Sequence, residues 1–232
     1  MQTSDSSTHP LDRPIWSALT TRQANLAEGG ARARRFPAAI GPFADLIDMS
    51  AQSFAELAAV MSGSEISVLF TADAVSAPDD FKILLADTGE QMIGTPAEST
   101  LAGLEIVTLG AADVPGMMAL VELTKPGPFG LRTHELGTFL GIRVDGQLVA
   151  MTGERMKPGI YTEMTAVRVH PSHRGRGYAQ ALLGAVAGRI VARGEIPFLH
   201  VFTSNASAIA LYRRQGMDIR RRLHVTVLQK RT

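Results

Sequence analysis

The chain contains no cysteine. That single absence removes disulfides, thiolate metal sites and covalent catalysis through a thiolate. An excess of one charge sign is missing too. Lys and Arg number 23 against 22 Asp and Glu, a net charge of +1. With no global field to gather polyanions, neither nucleic acid nor an anionic membrane surface is an expected partner. The local clusters Arg32, Arg34, Arg35 and Arg220 to Arg222 read as solvated faces. No apolar run approaches the length that spans a bilayer. The opening MQTSDSSTHP is polar and lacks the apolar core of a signal peptide. A cytoplasmic location is the expectation. No His, Asp and Glu fall at metal-ligand spacing, so no metal is expected.

What is present is apolar material, 45% of 232 residues, enough for one large or two smaller domains. Pro14 to Ala27 reads as a first helix, with proline at the permissive first turn. Ser50 to Met61 is a second, with Phe54, Leu57, Ala58 and Met61 on one stripe. Ser64 to Ala72 and Phe81 to Ala86 read as strands, the latter ending at Asp87-Thr88-Gly89. Gly94 to Gly103 is small and turn-forming, a candidate linker. The expected division is a flexible tail over 1–12, an N-terminal α/β domain over 13–100 and a second domain over 101–232.

The second half reads more easily. Leu104 to Leu109 is a short strand, and Asp113 caps a helix towards Thr124. KPGPFG, residues 125–130, breaks the chain. Thr138 to Val144 and Leu148 to Glu154 are strands joined at Asp145-Gly146, a hairpin signal. Tyr161 to Val169 is a strand, Gly177 to Arg193 a helix closed by Gly194, and Pro197 to Thr203 a strand. Asn205 to Gln215 is a helix and Leu223 to Leu228 a last strand. The order β-α-β-β-β-α-β-α-β implies an α+β class with a mixed, partly antiparallel sheet.

The informative stretch runs from Val167 to Ala179, VRVHPSHRGRGYA. A strand ends at Pro171, and a basic, glycine-rich turn feeds a helix. Backbone N–H groups at such a turn point outward with no carbonyl to meet them, and the helix dipole adds positive potential. Gly175 and Gly177 let the backbone approach a phosphate, and Arg174 and Arg176 add charge. A pyrophosphate is the suggested ligand. A P-loop would need Lys then Ser or Thr after its second glycine, and none is present. A dinucleotide fingerprint would need Gly or Ala where Gln180 stands, and an acidic residue where Thr203, Ser204 and Asn205 stand.

Arg174-Gly175-Arg176-Gly177-Tyr178-Ala179 instead resembles the Arg/Gln-x-x-Gly-x-Gly/Ala signature of the GNAT superfamily of N-acyltransferases. Val167-x-Val169-x-Pro171 resembles that family's cofactor strand, and Asn205 to Met217 resembles its second hallmark. The resemblance covers roughly Leu104 to Leu228. A leading extra domain before such a half is also similar to the glycine N-acyltransferase-like branch. The resemblance implies an N-acetyltransferase with acetyl-CoA as cosubstrate and an amine on a small molecule or peptide as acceptor. It implies that strand Val167 to Val169 splays from Leu199 to Thr203, so that the pantetheine arm pairs with the freed backbone. It implies further that Arg174 to Ala179 hold the pyrophosphate, that Asn205 touches the arm or caps its helix, and that Tyr212 lies near the thioester sulfur.

Catalytic expectations follow. A protonated amine must lose a proton before attack. The N–H near Val167 can face the developing oxyanion, and a phenol can protonate the departing thiolate. Tyr212 is the expected acid. Glu163 is the expected base, acting directly or through water, because strand alternation puts it on one face with Thr165, Val167 and Val169. Glu154 is the reserve. His200 is a candidate substrate contact, and Met151, Met156 and Met164 are candidate pocket residues. A non-catalytic acyl-CoA sensor is the alternative function. The N-terminal half carries no motif. A degenerate partial copy of the fold, a lid and a docking surface are its open readings, with a structural half that shapes the acceptor cleft preferred. Oligomeric state stays open, a homodimer included.

Overall fold

The computed structural model describes residues 9–97, 103–124 and 127–231. In chain order, α1 (Pro14–Thr20) precedes three short strands, β1 (Glu28–Gly29), β2 (Ala33–Arg35) and β3 (Ala44–Leu46). Then come α2 (Ala51–Val60), β4 (Ile66–Thr71), β5 (Phe81–Ile93) and β6 (Val107–Leu109). There follow α3 (Val114–Thr124), β7 (Phe139–Val144), β8 (Gln147–Glu154) and β9 (Tyr161–Val169). The chain closes with α4 (Tyr178–Ala192), β10 (Ile196–Phe202), α5 (Ala206–Arg214) and β11 (Asp218–Lys230).

From β6 onward the order is the one expected. Ser50 caps α2 by accepting from the Ser53 N–H, and Asn205 caps α5 by accepting from the Ala208 N–H. β1, β2 and β3 form a small antiparallel sheet. The large sheet is mixed, in the order β4-β11-β5-β10-β9-β8-β7-β6. Its parallel pair is β9 with β10.

Several boundaries differ from the sequence reading, each for a tertiary reason. α1 stops at Thr20, where the Thr20 and Thr21 hydroxyls bond the Trp16 and Ser17 carbonyls. Gln23, expected within that helix, is buried and donates to the Arg155 carbonyl. β5 does not end at Ala86. It continues to Ile93, with β11 along one side and β10 along the other over Gly89–Ile93. At Gly89 a Cβ would meet the Val201 carbonyl and Val225 at 3.3 Å, so the glycine fits a crowded strand rather than a turn. β11 extends over 218–230, because β5 and β4 pair with it on either side. Residues 9–12, expected within a flexible tail, are packed. Leu11 is fully buried, and Asp12 bridges Arg220 and Arg221. The expected linker includes residues 98–102, which lie outside the described residues.

Strand alternation sorts the core onto two faces of the sheet. On one, α4 and α5 cover Leu140, Met164, Leu199 and Val201. On the other, α1 and the segment from Phe36 to Phe43 cover Phe70, Phe198, Leu223 and Val225. α3 packs on Leu109, Phe139, Leu148 and Met151.

Candidate active site

β9 and β10 are hydrogen-bonded at Tyr161↔Ile196, Thr162↔Pro197 and Glu163↔Phe198, and no further. Beyond Glu163 the two strands part. A cavity of about 220 Å³ opens at the gap, lined by Met164 to Arg168 from β9 and Leu199 to Phe202 from β10. A neighbouring cleft of about 330 Å³ is lined by Val167, Val169, Arg174, Ala179, Asn205 and Tyr212, among others. Splay turns paired backbone into available donors and acceptors, which is what an extended amide-bearing arm requires.

The cause of the parting lies in β9. Ala166 is in the left-handed region, φ +53°. Gly153 faces Thr165 but Met151 faces Arg168, so three residues of β9 oppose two steps of β8. This is a bulge, and the Thr152 hydroxyl donates to the Thr165 carbonyl beside it. One extra residue reverses the alternation that follows. Val167 and Val169 therefore pack with Met164 on the α4 face, and Glu163 does not share a face with them. Arg168 takes the place expected for Val167.

The turn after β9 has the expected geometry. Gly175 and Gly177 both sit at positive φ, +76° and +79°. Gly177 is the N-cap of α4 and offers no side-chain cap. Among the described residues, no acceptor meets the N–H groups of Gly175 to Gln180, and the first helical bond is Ala181 N–H to the Gly177 carbonyl. These donors, with Arg174, Arg176 and the dipole of a 15-residue helix, make a cradle that fits a pyrophosphate. His170 and His173 hydrogen-bond Ser172 within the turn.

Tyr212 lines both the cavity and the cleft and is 8% exposed. Burial pushes its phenol up to about 12, against the opposing charge of Arg168. It stays protonated across the physiological range, as a proton donor must. Asn205 lines both spaces while its Oδ1 caps α5.

Glu163 is 0% exposed and is not part of the cavity wall. Arg155 Nε donates to its Oε2 at 2.8 Å and Arg155 Nη2 to its Oε1 at 2.6 Å. His200 Nδ1 lies 2.7 Å from the same Oε1. Burial pushes the carboxyl pKa up. The charges and hydrogen bonds of Arg155 and His200 outweigh that, and the net result is about 2. Gln91 Oε1 accepts from Arg220, so its amide nitrogen is the atom 3.1 Å from His200 Nε2. That assigns the imidazole proton to Nδ1, donating to Glu163. Glu154 is also buried, paired with Lys157 and Arg193, and lies away from the cavity. Of the three methionines, Met164 lines the cavity, whereas Met151 and Met156 are core.

The sequence reading missed Arg155, Arg168 and the apolar wall of Phe43, Val68, Phe70, Leu223 and Val225. The bulge that turns Arg168 inward leaves no mark in composition. Phe43, Val68 and Phe70 arrive from a segment with no motif. Among the described residues, no helix is long and apolar enough to cross a membrane, and no group of three potential ligands could hold a metal ion.

Residues 139–225 match the family model described as FR47-like protein. The chain is 32% identical over 141 residues to the N-alpha-acetyltransferase RimI of Mycobacterium tuberculosis, covering 53% of this chain and 87% of that one. A solved structure from Novosphingobium aromaticivorans, assigned to the GNAT family of acetyltransferases, is 39% identical. It superposes with a TM-score of 0.88 over 97% of this chain and 100% of its own. A GCN5-related N-acetyltransferase from Kribbella flavida shares the fold at 14% identity, with a TM-score of 0.65 over 94% of this chain and 95% of its own. The fold and these relatives together define an acyltransferase. The chain belongs to the GNAT family of acetyltransferases.

Proposed function

We propose that the protein transfers an acetyl group from acetyl-CoA to a primary amine, by direct attack of the amine on the thioester. The observation that carries this reading is the conjunction of the parted β9 and β10 with the donor-rich turn at Gly175 and Gly177. Val167, Val169 and Asn205 would hold the pantetheine arm, and Arg174 to Ala179 the pyrophosphate. Acetyl-CoA supplies an activated acyl carbon and a thiolate leaving group.

The chain's own residues supply the rest. Tyr212, protonated and beside the gap, donates to the sulfur as the C–S bond breaks. The N–H near Val167 would face the carbonyl oxygen. The C–N bond forms from a neutral amine, and its surplus proton leaves to solvent. Glu163 lies behind the cavity wall, ion-paired with Arg155, and both ring nitrogens of His200 are hydrogen-bonded, so neither is offered as the base. The cavity instead favours the neutral amine. Burial in the cavity disfavours an ammonium ion. Glu163 is then a positioning residue, which fixes Arg155 and His200. The N-terminal residues shape the acceptor wall through Phe43, Val68 and Phe70.

Calorimetry with acetyl-CoA tests the binding half of this reading, and thiol release in the presence of mixed amines tests the chemistry. Saturable heat and amine-dependent thiol release are expected. No heat with any acyl-CoA would remove the proposal.

A further inference from the structure

The cavity between β9 and β10 has two ends of different character. Val167, Arg168, Asn205 and Tyr212 line both it and the neighbouring cleft, and so mark the junction of the two spaces. Away from the junction the wall is Phe43, Val68, Phe70, Leu223 and Val225, which belong to the core on the opposite face of the sheet. The Phe43 and Phe70 rings lie 5.8 Å apart at 55°.

The polar side chains of the wall differ in what they still offer. Arg155 is neutralised by its two-point pairing with buried Glu163, and its guanidinium carbon already sits 4.1 Å from the centroid of the Phe43 ring. Both nitrogens of His200 are engaged, and its ring packs 4.4 Å from that of Phe70. Asn205 and Tyr212, at the junction, serve the pantetheine arm and the sulfur. That leaves Thr165, half-buried on β9 beside the bulge. Its carbonyl accepts from Thr152, but among the described residues its hydroxyl has no hydrogen-bond partner. Among the same residues no carboxylate lines the cavity, so a cationic body would be buried there without a counter-ion. An apolar cavity of about 150 Å³ suffices for a benzene ring. The space of about 220 Å³ therefore admits one ring and a short linker.

Resting on the acyl-transfer reading above, we propose that the acceptor is a primary amine borne on one uncharged, ring-sized apolar group, its nitrogen hydrogen-bonded to the Thr165 hydroxyl. The ring lies against Phe43, Phe70, Leu223 and Val225. One amine N–H donates to Thr165 Oγ1, which fixes the direction of the nitrogen lone pair. The C–N bond forms, the C–S bond breaks and Tyr212 protonates the sulfur. The proton shed by the nitrogen replaces, by way of solvent, the one Tyr212 gave.

The experiment reads thiol release from acetyl-CoA by the wild-type protein over a panel of acceptors. Phenethylamine is set against ethylamine, L-phenylalanine, spermidine and an alanine-terminated peptide. kcat/KM for phenethylamine is expected to exceed that for ethylamine by about 10- to 100-fold, the worth of burying the ring. Spermidine and L-phenylalanine each bring a further charge into the cavity and are expected to fall behind by about 10-fold or more. Any competitor that matches phenethylamine would overturn the acceptor class while leaving acetyl transfer intact. A second arm needs no acetyl-CoA and decides the subsite even if no acceptor is turned over. In calorimetry, N-phenethylacetamide is expected to bind about 10- to 100-fold more tightly than N-ethylacetamide. Equal binding of the two, or binding of neither, overturns the subsite.

Thr165→Val keeps the side-chain shape and removes the hydroxyl. It is expected to lower kcat/KM for phenethylamine about 10-fold, with melting temperature and acetyl-CoA affinity unchanged. Thr165→Ser is expected to restore most of the loss. A valine variant as fast as the wild type, or a serine variant as slow as the valine one, counts against the role of the hydroxyl.

Discussion

Burial pushes the pKa of both Tyr212 and Glu163 up, and the charged partners of each decide the outcome. Tyr212 loses solvent and gains only the distant help of Arg168, so its phenol rises to about 12. Tyr212→Phe is expected to lower kcat by about 10²- to 10⁴-fold with acetyl-CoA affinity unchanged. Steady-state kinetics beside calorimetry separates the two effects. In the wild type, kcat/KM is expected to rise with pH as the amine loses its proton. No descending limb should appear until near the tyrosine's value of about 12. Glu163 also loses solvent, but Arg155 and His200 more than restore the loss, and its carboxyl falls from 4.5 to about 2. A depressed carboxyl contributes stability that is complete above 4.5 and vanishes as pH falls through about 2. Glu163→Gln is therefore expected to cost about 3–5 kcal/mol at neutral pH, because it leaves Arg155 without its charge partner. Urea unfolding across that acid window should show the gap between wild type and variant closing.

At the scale of elements, two short irregularities make the site. The bulge at Ala166 shifts the register of β9 on β8 and turns Arg168 towards Glu163's face. The αL glycines at 175 and 177 then open the start of α4. Gly177→Ala would place a Cβ at φ +79°, a cost of about 1–2 kcal/mol. The expected result is a lower melting temperature together with weaker acetyl-CoA binding, checked by differential scanning calorimetry and titration calorimetry. These glycines were legible because a phosphate turn needs specific residue types at specific places. The bulge was not, because alanine at positive φ is held there by the hydrogen bonds of β8 and not by its own preference.

At the scale of the molecule, β5 lies between β10 and β11, although 102 residues or more of sequence lie between it and either. A fragment spanning residues 103–231 would leave the inner edges of β10 and β11 bare and would uncover Phe198, Leu223 and Val225. Such a fragment is expected to aggregate or to show no cooperative thermal transition, as followed by circular dichroism. The full chain should melt in one. β4, paired with the outer side of β11, brings Val68 and Phe70 to the cavity and Phe43 with them, so the residues that carry no motif supply part of its wall.

The sequence by itself determined the strand and helix order from β6 to β11, the glycine-rich turn at the start of α4 and the placing of Tyr212 and Asn205 beside it. Those features depend on local chemistry: apolar periodicity, caps, and glycine where the backbone must turn left-handed. Only the tertiary structure decided that β5 passes between β10 and β11, that Glu163 is locked by Arg155 and His200 behind the cavity, and that Arg168 faces inward. Each of these depends on which distant segment supplies a hydrogen-bond edge or a counter-charge, and no local window of residues carries that information.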